Sequence, residues 1–366
     1  MSYPLITREP SRRFFRISGE FDDIYLRMLV SSTKIRGMEK LDLSAIFQTI
    51  MRPFRRLVRE DEGMPGLIRE NEHLKAELAD LKQTLSAATF GADGFPPGHF
   101  YSPVVSLEDI KARESHIWKK RKEADIPGID FNTEAQLALM SALEKYYPEM
   151  PFTPEKQDGI RYYFENDFYS YLDGISLHCM IRHFRPARIV EIGSGFSSAV
   201  MMDTGQLFFG NGIRLNFIEP YPERLHALMR PEDHDACRVI PSFVQDCPMD
   251  IFTELQENDI LFVDSSHVVK TDSDLTHIFF EILPRLKSGV LVHFHDIFFP
   301  FVYPREWIFA GRNWNETYML RAFLQYNDSF RMILFNTFLA AEHPGVFDRM
   351  PLASRNFGGG FWMKRI

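Results

Sequence analysis

The sequence predicts an α/β fold in which a mainly parallel sheet is covered by helices on both faces. From residue 187 onward, short apolar runs rich in β-forming residues alternate with helical stretches, notably 196–207, 273–287 and 314–326. Apolar strands that alternate with helices are typical of such a sheet. The predicted strands span 188–192, 214–219, 238–244, 259–264, 289–295, 330–338 and 359–365.

The composition indicates a globular chain with an ample core. Hydrophobic residues make up 45% of the 366 positions and aromatic residues 14%. We expect one main domain of roughly 180–200 residues plus extra segments. A formal net charge of −8 argues against a general nucleic-acid-binding surface, which is normally basic. Cys179, Cys237 and Cys247 show no CxxC spacing, and we expect them to be reduced thiols.

Neither a targeting segment nor a membrane span is evident in the sequence. The N-terminal run MSYPLITREPSRRFF lacks the uninterrupted apolar core of a signal peptide. The apolar stretch 290–302 contains His and Asp and is far shorter than a membrane span. We therefore expect no transmembrane segment and a cytoplasmic location. Arg12, Arg13 and Arg16 with nearby Phe residues leave a peripheral membrane association open.

A short heptad repeat precedes the main domain. The segment 1–62 gives no clear prediction, whereas 63–88 places leucines every seven residues with Asn71 in the second apolar row. Charged residues flank the two rows, as in a parallel two-stranded coiled coil. We expect a homodimer through 64–85, and a single amphipathic helix lying on its own domain is the alternative.

Two segments lie between the heptads and the sheet. Residues 89–100 are rich in Gly, Pro and small residues and predict a linker. Segment 101–186 predicts a mainly helical cap or substrate region, with helices near 106–122, 133–146 and 168–183. Its aromatic cluster is either a substrate wall or simply core. The cluster comprises Tyr162, Tyr163, Phe164, Phe168, Tyr169 and Tyr171.

A glycine-rich turn follows the first predicted strand of the sheet. In EIGSG, Glu191 ends the strand, and Gly193 and Gly195 precede a helix. Glycines there permit a tight turn and a close approach of a ligand to the backbone. Ser198 stands where a GxGxxG dinucleotide motif would have its third glycine. The turn therefore favours a nucleotide-type ligand other than a dinucleotide.

The next two predicted strands each end in an acidic residue. Glu219 follows the apolar run LNFI, and a carboxylate at that position can accept both hydroxyls of a ribose. Asp246 follows the third strand, where it would contact an adenine base or cap a helix over 248–255.

Ionisable residues follow the fourth and fifth strands. VDSSH places Asp264 and His267 after one strand, and HFHD places His295 and Asp296 after its neighbour. Ligands bind at the carboxyl ends of the strands in open α/β sheets. His267 could act as a general base on a substrate hydroxyl, with Asp264 beside it. Asp264, Asp296 and His295 offer ligands for a divalent cation such as Mg²⁺, although Asp264 and His295 could instead be satisfied structurally.

Residues 160–366 resemble the bacterial class I S-adenosylmethionine-dependent methyltransferases of methyltransferase family 24. The matching runs are RIVEIGSGFSS, IEPYPERL, ILFVDSSHVVKTDSD, FFEILPRLKSGVLVHFHDIF and NWNETYMLRAFLQYN. The resemblance implies a Rossmann-like, seven-stranded methyltransferase sheet over 187–366, preceded by the helical region and a short coiled coil. It also implies S-adenosylmethionine as cofactor, bound through Glu191, Gly193, Gly195 and Glu219.

The fourth and fifth strand ends are more distantly similar to metal-dependent O-methyltransferases of the catechol and macrolide-sugar types. Asp264 and Asp296 match the acids of that pattern. His267 stands where those enzymes have Lys, and His295 departs from their acidic pair. The similarity implies methyl transfer to a hydroxyl of a sugar or another small molecule or glycan.

Two other functions remain open from the sequence. A nicotinamide-dependent oxidoreductase would need GxGxxG and a catalytic Tyr-Lys or similar pair, and neither is evident. A cofactor-binding but inactive assembly module would act through the coiled coil, and the retained Asp264, His267 and Asp296 speak against it. The segment between Trp307 and Trp314 is well placed to cover a substrate.

Overall fold

The computed structural model describes residues 70–79 and 95–366. Residues 70–79 form helix α1, and most of its side chains are exposed. The segment 1–62 and most of the heptad segment 63–88 lie outside the described residues, so the coiled-coil homodimer stays a prediction. Residues 95–366 form one compact unit, which contains both the predicted helical region and the sheet. Among residues 70–79 and 95–366, every helix is too short or too polar to span a lipid bilayer.

A seven-stranded sheet forms the centre of this unit. The strand order is β3-β2-β1-β4-β5-β7-β6, and β7 is antiparallel to both of its neighbours. The strands are β1 (Arg188–Ile192), β2 (Arg214–Ile218), β3 (Cys237–Ile240), β4 (Ile260–Val263), β5 (Leu291–Phe294), β6 (Phe330–Phe335) and β7 (Phe361–Arg365). All seven predicted strands are confirmed. Every residue of β4 and β5 is buried, as expected of strands covered on both faces.

The strand order reverses between β1 and β4, and this reversal positions the site. From β1 the chain runs outward through β2 and β3, then returns to place β4 on the other side of β1. The connections on the two sides leave in opposite directions and open a crevice at the carboxyl ends of the strands. The segments after β1, β2, β4 and β5 therefore meet at one edge of the sheet.

Helices cover both faces of the sheet. The α-helices of the compact unit are α2 (Leu107–Ala112), α3 (Glu114–Ile117), α4 (Thr133–Leu143), α5 (Tyr171–Phe184), α6 (Phe196–Phe209), α7 (Glu223–Leu228), α8 (Asp250–Thr253), α9 (Asp274–His277), α10 (Arg305–Phe309), α11 (Glu316–Leu324) and α12 (Asn336–Glu342). The predicted helix 106–122 is divided into α2 and α3, neither of which buries a residue. Short helices without a buried face have little to hold them together as one.

The remaining helix predictions hold with small changes. The helix predicted over 273–287 begins as α9, continues as a π-helical turn over Ile278–Ile282 and ends as a 3₁₀ turn at Arg285. The strand predicted over 330–338 ends at Phe335, because α12 begins at the next residue.

A buried arginine anchors the segment that precedes α5. Arg161 pairs with Asp203 of α6 at 2.6 Å and with Asp233 at 2.5 Å, and its side chain is 2% exposed. The backbone amides of Arg161 and Tyr162 also donate to Asp203, at 2.8 and 2.9 Å. Breaking one side of a buried pair typically costs about 3–5 kcal/mol. This network therefore holds the following aromatic segment at the carboxyl edge of the sheet.

The aromatic cluster of that segment is divided between core and cleft. Tyr162, Phe164, Tyr169 and Tyr171 are buried, which confirms the core interpretation for these four. Phe168 is 55% exposed. Phe168 and Tyr169 both line the cavity described below, so part of the cluster is also a wall of the site.

Candidate active site

Two adjoining cavities lie at the carboxyl edge of the sheet. A cavity of about 410 Å³ lies over the ends of β2 and β3, and a cavity of about 680 Å³ lies over the ends of β1, β4 and β5. Gly193, Glu219 and Asp264 line both cavities. The two therefore form one elongated cleft that passes over the glycine turn.

The turn after β1 requires glycine at its first position. Gly193 has a φ of +83°, and a Cβ there would lie 1.8 Å from the carbonyl oxygen of Asp264. The backbones of β1 and β4 meet at this point, since the amide of Asp264 donates to the carbonyl of Ile192 at 2.9 Å. Gly195 differs, because a Cβ there would lie 3.5 Å from Arg224 Cδ, an ordinary contact. Of these two glycines, only Gly193 occupies a position at which a Cβ would collide with backbone.

Glu191 supports the turn from below. Its side chain is fully buried, and its carboxylate accepts hydrogen bonds from the hydroxyls of Ser197, at 2.5 Å, and Ser198. Ser198 also accepts a hydrogen bond from the amide of Gly195 at 3.0 Å, so it caps α6. Burial raises the pKa of Glu191 to about 8. Glu191 lines neither cavity, and its position is that of a support for the turn.

Glu219 lies in the cleft and Asp246 does not. The carboxylate of Glu219 accepts hydrogen bonds from the amides of Ser194 at 3.1 Å and Tyr221 at 2.9 Å. Asp246 is exposed and lines neither cavity, whereas the residues just before it, 242–245, line the smaller one. It does not cap α8 either, because the N-cap position is Met249. The loop after β3 therefore lines the smaller cavity, but its acidic residue, Asp246, does not.

His267 lies between carboxylates at the ends of β4 and β5. Its Nε2 is 3.5 Å from Asp264 Oδ1 and 3.7 Å from Asp296 Oδ2. Its Nδ1 is 2.7 Å from Glu316 Oε2, and the Glu316 side chain is only 1% exposed. His295 is next to this group, with Nε2 3.4 Å from Asp296 Oδ1. The structure thus brings together all four residues predicted at these two strand ends and adds Glu316.

The carboxylates set the protonation of the cluster. Burial alone would lower the pKa of His267, but hydrogen bonds to Asp264 and Glu316 and their negative charges raise it well above its usual value. Burial would raise the pKa of Asp264, but the charge of His295 and the hydrogen bond and charge of His267 hold it below its usual value. For Asp296, burial prevails over both imidazoles, and its pKa is raised.

The loop that carries His267 is held by the start of α11. The carbonyl of His267 accepts hydrogen bonds from the amides of Asn315 at 3.1 Å and Glu316 at 3.2 Å. The Asn315 side chain accepts from the amide of Val269 at 2.6 Å and donates to its carbonyl at 3.1 Å. His267 and Asp296 have φ of +59° and +58°, a region that side-chain-bearing residues rarely adopt. Such backbone strain clusters at functional sites.

The cation site predicted at Asp264, Asp296 and His295 stays a prediction. Among residues 70–79 and 95–366, no group of three or more His, Cys, Asp or Glu side chains is arranged to hold a metal ion. The imidazole of His267 lies beside both Asp264 and Asp296, with Nε2 3.5 and 3.7 Å from their carboxylate oxygens. A cation bound by these carboxylates would have to compete with the imidazole for them.

Aromatic and basic side chains form the outer wall of the larger cavity. Trp307, Arg312 and Trp314 line it, as do Phe168 and Arg224. The Trp314 ring lies 4.2 Å from the His267 ring, and the Trp307 ring lies 5.4 Å from Trp314. Arg224 lies over Phe168, with 4.0 Å from the guanidinium carbon to the ring centroid. The segment predicted to cover a substrate does border the cleft.

Sequence reasoning missed several residues of the site. Glu316 lies in the run NWNETYMLRAFLQYN, which contributed to the family resemblance without a role for its acid. Asp173 is buried in α5 near His295, and burial raises its pKa to about 7. An acid within the mostly apolar start of this helix, YLDGI, was a signal for it. Arg224 lies in the matching run IEPYPERL without an assigned role, and Arg312 gave no local signal because its position depends on the fold.

A family model and one relative match the sequence of this chain. A family model described as a methyltransferase domain matches residues 190–297. An uncharacterised protein of Archaeoglobus fulgidus is 38% identical over 169 residues, which cover 45% of this chain and 75% of that protein.

Solved structures give weaker likenesses. The SAH-bound methyltransferase of Podospora anserina is 16% identical with a TM-score of 0.34, over 72% of this chain and 99% of that one. The O-methyltransferase TomG of Streptomyces achromogenes, involved in tomaymycin synthesis, is 15% identical with a TM-score of 0.30, over 70% and 96%. Because these scores are low, the fold assignment rests on the strand order itself.

The strand order, with its antiparallel β7, and the glycine turn over the cleft define a Rossmann-like methyltransferase domain. The chain belongs to the class I S-adenosylmethionine-dependent methyltransferases, in the family whose methyltransferase-domain model matches residues 190–297. Its activity is the transfer of a methyl group from S-adenosylmethionine.

Proposed function

We propose that this enzyme methylates a hydroxyl oxygen of a sugar, a glycan or another small molecule, with His267 as the general base. The observation that carries the proposal is the His267–Glu316 pair. Glu316 occupies Nδ1 at 2.7 Å, so a neutral His267 has its proton on Nδ1 and its lone pair on Nε2. His267 lines the larger cavity together with Gly193, which supports its role as the proton acceptor.

The cofactor would lie along the cleft with its adenosine in the smaller cavity. Glu219 is placed to accept the ribose hydroxyls, since its carboxylate lines both cavities. The loop 242–245 would contact the base. The methionine portion would pass Gly193 into the larger cavity. Arg224, whose side chain lies against Gly195, is the residue placed to pair with the methionine carboxylate.

Methyl transfer then needs alignment and one proton acceptor. The sulfonium methyl is already activated, so the acceptor oxygen attacks it in line. The O–C bond forms while the C–S bond breaks, and the electron pair of the C–S bond stays on sulfur, which leaves a neutral thioether. The hydroxyl proton goes to Nε2 of His267. S-adenosylhomocysteine and the methyl ether leave, and the proton passes to solvent.

The carboxylates around His267 make this proton transfer favourable. Glu316 holds the ring orientation and stabilises the imidazolium that forms, as a buried acid does behind a catalytic histidine. Asp264 and Asp296 add negative charge on the Nε2 side, at 3.5 and 3.7 Å. A positioning role for Glu316 and a catalytic role for His267 follow.

A two-part experiment tests the proposal. Calorimetry with S-adenosylmethionine, against NAD as control, measures cofactor binding. Release of S-adenosylhomocysteine with a panel of sugars and phenols measures transfer. We expect His267→Asn to bind the cofactor within about twofold of the wild type and to lose roughly 10²–10⁴-fold in turnover.

The matched control is His226→Asn, which changes an exposed histidine of α7 that lines neither cavity. It should keep full turnover. Full turnover by His267→Asn, with every hydroxyl acceptor that the wild type accepts, would contradict the base assignment.

A further inference from the structure

Arg312 is a cation fixed at the mouth of the larger cavity. Its guanidinium carbon lies 4.2 Å from the ring centroid of Trp307 and 5.0 Å from that of Trp314. Cation–π contacts of this kind hold the planar group against the rings without using its five N–H donors. The donors therefore remain available on the cavity side, where Arg312 lines the wall.

Within the described ranges 70–79 and 95–366, no carboxylate lies within 4.0 Å of the Arg312 guanidinium. The nearby Arg305 shows the contrast, because it makes two hydrogen bonds to Glu114, at 2.9 and 3.1 Å. Two arginines of one surface segment thus differ in that one has a carboxylate partner and the other faces a cavity. An arginine with open donors beside a cavity is suited to a carboxylate or phosphate group, which it can bind with two parallel hydrogen bonds.

The wall that carries Arg312 is organised before any ligand arrives. The amide of Arg312 donates to the carbonyl of Trp307 at 3.0 Å and closes the loop. Asn313 is tied to the amide of Val105 at 3.3 Å, and Trp118 donates to the carbonyl of Tyr303 at 3.0 Å. A binding group fixed in this way loses little conformational freedom when a ligand binds.

We infer that the methyl acceptor carries an anionic group, a carboxylate or a phosphate, which Arg312 binds while the reacting hydroxyl lies at His267. This inference rests on the proposed function, since it describes the acceptor of that same site. Trp314 contacts both Arg312 and His267, at 5.0 and 4.2 Å between centres. Arg312 and His267 therefore both adjoin Trp314 in the wall of the same cavity, where one ligand can reach both.

Paired acceptors that differ in one charge test the inference. Methyl glucuronide, glucose 6-phosphate and 4-hydroxybenzoate are compared with the neutral methyl glucoside, glucose and 4-hydroxybenzyl alcohol. In each pair whose members are methylated, we expect the anionic compound to have the lower KM. Comparing the carboxylates with the phosphate then identifies the anionic group that the site prefers. Arg312→Gln should raise that KM at least about tenfold, with the KM of the neutral twin and the affinity for S-adenosylmethionine unchanged.

Arg185→Gln is the matched control, because Arg185 also lies over an aromatic ring, that of Phe209 at 5.0 Å, but lines neither part of the cleft. It should leave every KM unchanged. Equal KM values for both members of a pair, or an equal effect of Arg312→Gln on both, would overturn the inference.

A readout without turnover separates this inference from the proposed function. Tryptophan fluorescence of the protein saturated with S-adenosylhomocysteine should change on titration with the anionic compounds, and Arg312→Gln should abolish the change. If the titration succeeds while no hydroxyl is methylated, the anion site stands and the proposed function fails. If methylation occurs while no anionic compound changes the fluorescence, the anion site is wrong and the proposed function stands.

Discussion

The two sides of the cleft are built in different ways. The cofactor side is made of backbone at adjacent strand ends: Gly193 lies against the carbonyl of Asp264, and the amide of Ser194 positions Glu219. The side proposed for the acceptor is made of side chains, with Trp307 on the short helix α10 and Arg312 on the loop that follows. A contact from a distant segment, that of Val105 with Asn313, holds this loop. A site made of backbone tolerates few substitutions. A wall made of side chains can instead acquire a different ligand specificity through single substitutions.

The largest effect is expected from Gly193→Ala. A Cβ there would lie 1.8 Å from a backbone oxygen of β4, and the φ of +83° adds strain. We expect cofactor affinity to fall by at least about 100-fold, with a loss of several kcal/mol in the free energy of unfolding. Calorimetry and thermal denaturation measure the two.

Gly195→Ala is the control for this prediction, since its Cβ would meet Arg224 Cδ at an ordinary 3.5 Å. It should fold normally and keep cofactor affinity within about tenfold. If the two variants lost affinity equally, the backbone contact would not be what distinguishes the first glycine.

An intermediate effect is expected from Glu316→Gln on the pH profile. Only neutral His267 can accept the proton, so kcat/KM should rise as the pH passes through the pKa of His267. Asp264 and Glu316 raise this pKa above its usual value. Removing the charge of Glu316 lowers the pKa of His267, and the midpoint of the kcat/KM profile should move to lower pH. Asp264, Asp296 and His295 also face the imidazole, so the midpoint reports the coupled cluster.

The His267–Glu316 pair should stabilise the fold at low pH more than at high pH. The pKa of His267 in the folded protein lies above its value of about 6.5 in the unfolded chain. The stability that this difference contributes is therefore complete below about pH 6.5 and is lost as the pH rises through the pKa of the folded state. Thermal denaturation of wild type and Glu316→Gln should therefore differ more at pH 6 than at alkaline pH. An unshifted kinetic midpoint would show that Glu316 does not act through His267.

The smallest effect is expected from a chelator. Because His267 lies beside both Asp264 and Asp296, at 3.5 and 3.7 Å from Nε2, EDTA treatment should leave turnover within about twofold. Recovery of a lost activity by added Mg²⁺ would show instead that a cation displaces the imidazole. S-adenosylhomocysteine release before and after dialysis against EDTA measures this.

The sequence determined the sheet and the residues at its carboxyl edge. Seven apolar runs predicted seven strands, and the residues that follow a strand can be read directly from the chain. Because parallel strands bring their carboxyl ends to one edge, Gly193, Glu219, Asp264, His267 and Asp296 could be assigned to one cleft without a structure.

Only the tertiary structure decided what those residues contact. Glu316 is 49 positions from His267, and no spacing rule joins them. Arg312 faces the cavity because its loop is held by a contact between Asn313 and Val105, which is far away in the sequence. Asp264 and Asp296 predicted a cation from their chemistry alone, and the fold placed an imidazole beside both. Periodicity reports which face of an element is buried, whereas the partners of a side chain depend on how loops from different parts of the chain pack together.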